Sequence, residues 1–291
     1  MREMLRKTYE IQRGGPSALD WDQYRALIKS DWRKLLDDYE ATEEDVYQDF
    51  LEQHPCLVPG CSGMMGTSGH APILDALFSQ PKLPDFTCKI PDFMWIAKDS
   101  QSVYPILIEI EAPSKRWFNK GGDTTSHFNH AMGQLLEWKT WFANPLNRIA
   151  FAKHYDLNLE FRHLKPHYVL IYGRRHEANR DKILAEKRQH LQHADVTTMT
   201  FDRLEPNWTA HRFMSVRAKK NGYVARYVPA SFQLGPMNAD EVAKISEFDE
   251  AINRSPYLTP ERRAFLISRI PYWQRWARTE NMCVRNPGDV E

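Results

Sequence analysis

Pro91-Asp92-Phe93-Met94-Trp95-Ile96 and, a turn later, Ile106-Leu107-Ile108-Glu109-Ile110-Glu111 read as two apolar strands. The first opens on an aspartate and the second closes on two glutamates. Side chains alternate along a strand. Ile106, Ile108 and Ile110 therefore point one way, and Leu107, Glu109 and Glu111 the other. Two carboxylates on one face of so apolar a strand repel each other and are costly to desolvate. A divalent cation bound between the strands would offset both problems. The competing reading, an exposed face forming surface ion pairs, fits poorly with a run apolar enough for a central strand.

Working outward, a second Pro-Asp-Phe occurs at Pro84-Asp85-Phe86. Asp92 is preferred to Asp85 as the site aspartate, because a strand-like run follows it directly. Asp85 reads better as a turn or cap residue. Downstream, 125–142 has helical periodicity, with Phe128, Ala131, Met132, Leu135, Trp138 and Phe142 on its apolar side and His127, His130, Gln134 and Glu137 on its polar side. Tyr168–Tyr172 and 195–201 read as strands, and 177–193 as a charged surface helix. Upstream, Ser17 to about His54 is helical, with a fresh start at Thr42-Glu43-Glu44-Asp45 and a stop at His54-Pro55. The glycine-rich stretch 59–70 lacks the GKS/T of a phosphate loop and reads as a flexible surface loop. Asn221-Gly222 marks a hairpin between Phe213 and Val228, and Thr259-Pro260-Glu261 opens a last helix through Arg278. The expected fold is α/β: a mixed sheet flanked by helices.

Composition narrows the class. With 42% hydrophobic and 26% charged residues among 291, the chain is globular rather than disordered or collagen-like. No apolar run approaches the ~20 residues of a membrane span. The start, Met1-Arg2-Glu3-Met4-Leu5-Arg6-Lys7, has no apolar core of a secretory signal. Four cysteines without CxxC pairs read as reduced thiols, so a cytoplasmic location is expected and a zinc site is not. Net charge is only +1, but it is unevenly spread. Residues 1–111 carry 11 Lys/Arg against 19 Asp/Glu, whereas 112–291 carry 28 against 19. That asymmetry suits an anionic partner, or two halves that attract each other in one fold.

Phosphodiester hydrolysis needs a deprotonated water, neutralised non-bridging oxygens and a stabilised leaving oxygen. A carboxylate-held divalent metal meets all three needs. Asp92 and Glu109 are the candidate ligands, with a backbone carbonyl near Ile110 as a third. Glu111 is placed to orient or deprotonate water. Hard oxygen donors select Mg²⁺ or Mn²⁺ over zinc. Gln134 is a candidate hydrogen-bond donor to water or phosphate. Lys115, Arg116 and Lys120, just past the carboxylates, and Arg174 and Arg175, after the next strand, are candidate phosphate contacts; the alternative is ordinary solvated charge.

An aspartate, a hairpin, Glu-x-Glu and a helix bearing glutamine together resemble the PD-(D/E)xK nuclease superfamily. More narrowly, the chain resembles the nuclease domain of Shedu anti-phage defence proteins. The resemblance rests on Phe50-Leu51-Glu52-Gln53-His54-Pro55, Pro91-Asp92-Phe93, Ile108-Glu109-Ile110-Glu111-Ala112-Pro113 and Ala131-x-x-Gln134-x-x-x-Trp138. It implies a restriction-endonuclease-like core over 44–205, a helical extension at 1–43 and an accessory hairpin-plus-helix region at 206–291. It also implies a Mg²⁺-dependent DNA endonuclease acting in prokaryotic defence, with Asp92 and Glu109 as metal ligands, Glu44 as the early-helix acid and Gln134 as the helix glutamine. Glu111 stands where the superfamily pattern has lysine, which leaves the third catalytic role open between Glu111 and Lys115. A nuclease fold that has lost most catalysis and binds nucleic acid or protein is the alternative. DNA is the expected partner, no membrane is expected, and a homo-oligomer is compatible with the sequence.

Overall fold

A computed structural model describes residues 6–38, 43–63, 71–84, 90–178, 181–220, 222–279 and 283–291. The chain opens with α1 (Trp21–Asp37), capped by Asp20, whose carboxylate accepts the Gln23 N–H. Tyr24, Ile28 and Trp32 recur every four residues along its buried side. Helix α2 (Glu44–Gln53) follows, with Glu44 and Asp45 in its first turn, where the dipole favours acids. Its cap is Glu43; the Thr42 start expected from sequence lies outside the described residues. Then come β1 (Ala71–Pro72), β2 (Ala76–Ser79) and the long hairpin β3 (Phe93–Lys98) and β4 (Ser102–Ile110).

After the hairpin come α3 (Ser126–Ala143), α4 (Pro145–His154), β5 (His163–Leu164), β6 (His167–Ile171), the short α5 (Arg175–Ala178), α6 (Lys182–His190) and β7 (Val196–Met199). The chain closes with β8 (Met214–Lys219), β9 (Gly222–Tyr227), α7 (Ala239–Ala243), β10 (Ile245–Ser246), α8 (Phe248–Arg254) and α9 (Pro260–Thr279). The main sheet runs β10-β9-β8-β2-β3-β4-β6-β7, with β1 and β5 pairing at its margin.

Every residue of β4 is buried. It pairs antiparallel with β3, Phe93 opposite Ile108, and parallel with β6, Ile108 opposite Val169. This central position explains the near-continuous apolar run. Burying each of Ile106, Leu107, Ile108 and Ile110 contributes about 1.5–3 kcal/mol. The strand ends at Ile110, and Glu111 keeps one further ladder bond, its N–H donating to Ile171 O at 3.0 Å. Helix α3 is capped by Thr125 and buries Phe128, Ala131, Leu135, Trp138 and Phe142.

Two expectations are revised. The start of the 59–70 stretch is not a surface loop, since Val58, Gly60 and Cys61 are buried. Gly60, at φ +113°, lies against Ile106 and Trp95, and a Cβ there would meet the Ile106 side chain at 2.9 Å. The sheet also runs past the boundary drawn near residue 205. Strand β8 pairs in parallel with β2, so the C-terminal hairpin extends the core sheet.

Candidate active site

Strand pairing sets Asp92, the residue before β3, beside the end of β4. Its Oδ2 accepts the Ile110 N–H at 2.8 Å, and its backbone carbonyl accepts the Gln80 N–H at 2.8 Å. Glu109 is 6% exposed and sits beside Asp92 and the Gln134 side chain projecting from α3. Its Oε2 is buried with no hydrogen-bond partner. An unsatisfied buried acceptor on a carboxyl group costs free energy that a proton or a cation offsets.

Glu44, half-buried at the first turn of α2, lies beside Glu111. Lys115, on the loop leaving β4, forms an ion pair with Glu111 Oε2 and lies 3.8 Å from Glu44 Oε2. Four carboxyl groups thus gather in one site, and two of them, Glu44 and Glu111, share one ammonium. Burial pushes Glu109 well above the usual carboxylate range, and Asp92, Glu44 and Glu111 push it further. Burial is also the main cause for Asp92. The Ile110 N–H opposes it, while Glu44 and Glu111 add to it. Glu44 is raised by burial and by Glu111, against Lys115. Burial and like charge together disfavour ionising Asp92 and Glu109 at once.

The donors are all hard oxygens, which suits Mg²⁺ or Mn²⁺. Among the described residues no three His, Cys, Asp or Glu side chains are arranged to hold one ion. The physical reason is visible: Glu44 and Glu111 turn to Lys115, leaving Asp92 and Glu109 as a pair. Such a pair, with its unsatisfied oxygen, fits a hard cation whose remaining ligands come from a backbone carbonyl, water or substrate.

The sequence-chosen residues divide. Asp92, Glu109, Glu111, Glu44, Gln134 and Lys115 come together. Arg116 and Lys120 are exposed on the following loop. Arg174 is engaged elsewhere, with its Nε on Asp202 at 2.9 Å and a terminal nitrogen 3.6 Å from Asp37. Arg175 is exposed, with its backbone N–H on Asp202 Oδ2 at 2.5 Å. His127 and His130 are exposed on α3. Asp85 lies outside the described residues.

The family model described as Shedu protein SduA, C-terminal, matches residues 41–204. The chain belongs to the Shedu family. Every residue of the carboxylate cluster, with Lys115 and Gln134, falls inside the Shedu match. Helix α1 and everything from β8 onward fall outside it. No curated protein matches the chain. Shedu membership supports a role in defence against phage. Among the described residues no helix is long and apolar enough to cross a membrane.

Proposed function

We propose that this protein is a metal-dependent endonuclease that hydrolyses DNA phosphodiester bonds in phage defence. The observation that carries the reading is the buried Asp92–Glu109 pair with its unpartnered Oε2, set beside Glu111 and Lys115. Asp92 and Glu109 would hold Mg²⁺ or Mn²⁺, and Glu44 is the nearest further acid. The ion, when bound, supplies charge neutralisation at the scissile phosphate and lowers the pKa of a bound water.

The remaining roles fall to this chain. Glu111 accepts the proton of the attacking water. Lys115, already on Glu111, fixes that carboxylate and presents an ammonium to a non-bridging oxygen. Gln134 holds Glu109 in place. Attack by the water oxygen on phosphorus forms one P–O bond as the bond to the leaving oxygen breaks, and the leaving oxygen takes a proton from solvent.

A second reading, a binding module of the same fold, is favoured by one feature: the Lys115 ion pair ties up the third carboxylate. Cleavage assays separate the two readings. Supercoiled and linear DNA should be cut with Mg²⁺ or Mn²⁺ and spared in EDTA. Asp92→Ala and Glu109→Ala should each abolish cutting while the far-ultraviolet circular dichroism is unchanged. Metal-dependent cutting that survives both substitutions would falsify this site, and DNA binding without cutting in any metal would favour the binding module.

A further inference from the structure

Strands β4, β6 and β7 are parallel, so their C-terminal ends lie along one margin of the sheet. The carboxylates stand at the end of β4. Arg175 follows β6, and Arg203 follows β7 in the short helical turn Phe201–Arg203. A third guanidinium joins them from α6. Arg188, in the last turn of that helix, lies 5.0 Å from the centre of the Trp117 ring.

Trp117 is fully buried, two residues beyond Lys115. Its indole N–H donates to Tyr172 O at 2.9 Å and its backbone N–H to Glu177 Oε2 at 3.1 Å. The preceding residue of α6, Lys187, donates to Gly122 O at 2.8 Å. Helix α6 is thereby docked on the same loop that carries Lys115 to the carboxylates.

Among the described residues no carboxylate pairs with the side chain of Arg188 or Arg203. The Arg175 guanidinium reaches only the backbone carbonyl of Asp202, at 3.5 Å. Burial, and then the charges of Arg203 and Arg175, disfavour the charged form of Arg188. An arginine nonetheless stays protonated, so the fold holds like charges together at a cost. The helix dipole accounts for a cation at the end of α6. It does not account for Arg203 and Arg175, which arrive from two other elements. An anion placed among the three would offset the repulsion of all of them.

Neighbouring strands lie about 4.8 Å apart, so two strand spacings separate β4 from β7 by roughly 10 Å. Duplex DNA rises about 3.4 Å per nucleotide along one strand. Arg175 and Arg203 therefore follow strands one and two spacings from β4, within a few nucleotides of a phosphate at the carboxylates. The ring face of Trp117 nearest them is occupied by Arg188, so it offers no platform for an unstacked base. Phosphate contact without base contact is what remains, and it carries no sequence preference.

We propose that Arg175, Arg188 and Arg203 form a phosphate-binding surface that seats the DNA duplex backbone within a few nucleotides of the scissile bond. The direction of the track rests on the nuclease reading; the binding itself does not. The test is fluorescence anisotropy of a labelled 20-base-pair duplex in EDTA across a salt series. Each phosphate contact contributes about 0.9 to the slope of log affinity against log salt. Arg203→Gln should lower the magnitude of the slope by about one, and Arg188→Gln with Arg203→Gln by about two. Arg188→Lys keeps the charge and should keep the wild-type slope.

Arg203 is exposed, so its single variant tests the surface even where Arg188→Gln unseats Trp117. An unchanged slope in Arg203→Gln overturns the proposal. So does absence of duplex binding by the wild type, or tighter binding of the single strand than of the duplex. A wild-type protein that cuts DNA but shows no slope change in the variants loses this surface and keeps the nuclease reading. One that never cuts but shows the slope change keeps the surface and loses the nuclease.

Discussion

The ammonium of Lys115 rests on Glu111 and comes within 3.8 Å of Glu44, so a loop lysine supplies the positive charge that the strand itself lacks. Glu109 and Glu111 were legible from sequence because strand periodicity alone puts them on one face. Asp92 was legible because an apolar run follows it directly. Lys115 was legible only as an alternative to Glu111, because its contact depends on a turn through Pro113 and Ser114 that no periodicity describes. Arg188 and Arg203 were missed for a related reason. Each looks like ordinary surface charge on its own element, and only the convergence of three elements makes them neighbours. The test at this scale is the base. Glu111→Gln removes the proton acceptor but keeps the shape and a hydrogen bond to Lys115. Single-turnover cleavage at saturating metal should fall by about a hundredfold or more, the range lost with a general base, while DNA binding is kept. Glu111→Lys should retain part of the activity, because it restores the lysine of the nuclease pattern that the chain resembles. If Glu111→Gln cuts as fast as the wild type, Glu111 only positions Lys115, and Lys115 becomes the base to test.

Glu44 reaches the site because α2 is held at its other end. Glu52, 5% exposed, accepts from Arg226 of β9 at 3.0 and 3.4 Å, with Arg217 of β8 at 3.9 Å, and Asp49 accepts the Tyr227 hydroxyl at 2.9 Å. The Glu52 carboxylate in turn raises the pKa of Arg226. The C-terminal hairpin is thus the mount of the early helix. Sequence patterning found α2, α3 and the β3–β4 hairpin because each announces itself with a long apolar period. It missed β2, which is four residues long, flanked by positive-φ Asp75 and Gln80, and paired with a strand far along the chain. It also missed α4, although Asn144 caps that helix and Pro145 opens it. Breaking a buried ion pair by removing one partner costs about 3–5 kcal/mol, and Arg217 should keep the loss near the lower end. Arg226→Ala is therefore expected to destabilise the protein by about 3 kcal/mol. Glu52→Gln with Arg226→Ala should recover part of that loss, because no carboxylate is then stranded. Urea unfolding of the single and double variants measures both. Additive losses would mean that the pair does not hold the helix.

The first forty residues and the last eighty-odd read from sequence as additions to a core, because the motifs fall between them. In the folded chain they meet inside it, at His54. This residue ends α2 and is 1% exposed. Its Nδ1 lies 3.1 Å from the Tyr24 hydroxyl of α1, and its ring stacks on Tyr257, 5.5 Å away, which lies between α8 and α9. The Tyr257 hydroxyl donates to Asp31 Oδ2 at 2.5 Å, closing the junction. Such a meeting of distant segments follows from packing rather than from any local pattern. It has a consequence for stability. Burial pushes the His54 imidazole down to about 3, only slightly opposed by Asp31. In the unfolded chain it titrates near 6.5. Between those values the unfolded state binds the extra proton, so stability rises with pH and is lost on acidification, by up to about 1.4 kcal/mol per pH unit. Asp31, held low chiefly by Lys34 and then by Tyr257, begins to lose its contribution only as pH falls through the ordinary aspartate value of about 3.9, in the lowest part of this window. The raised carboxyl groups of the candidate site act with the opposite sign, so the informative quantity is the difference between wild type and His54→Gln. Glutamine can still accept from Tyr24 but does not titrate. From pH 6.5 to 4.5 in EDTA, the wild type should lose about 1 kcal/mol per pH unit more than His54→Gln does, measured by urea unfolding. Parallel pH profiles would show that His54 accepts its proton in the native state and that the three segments part there before the protein unfolds.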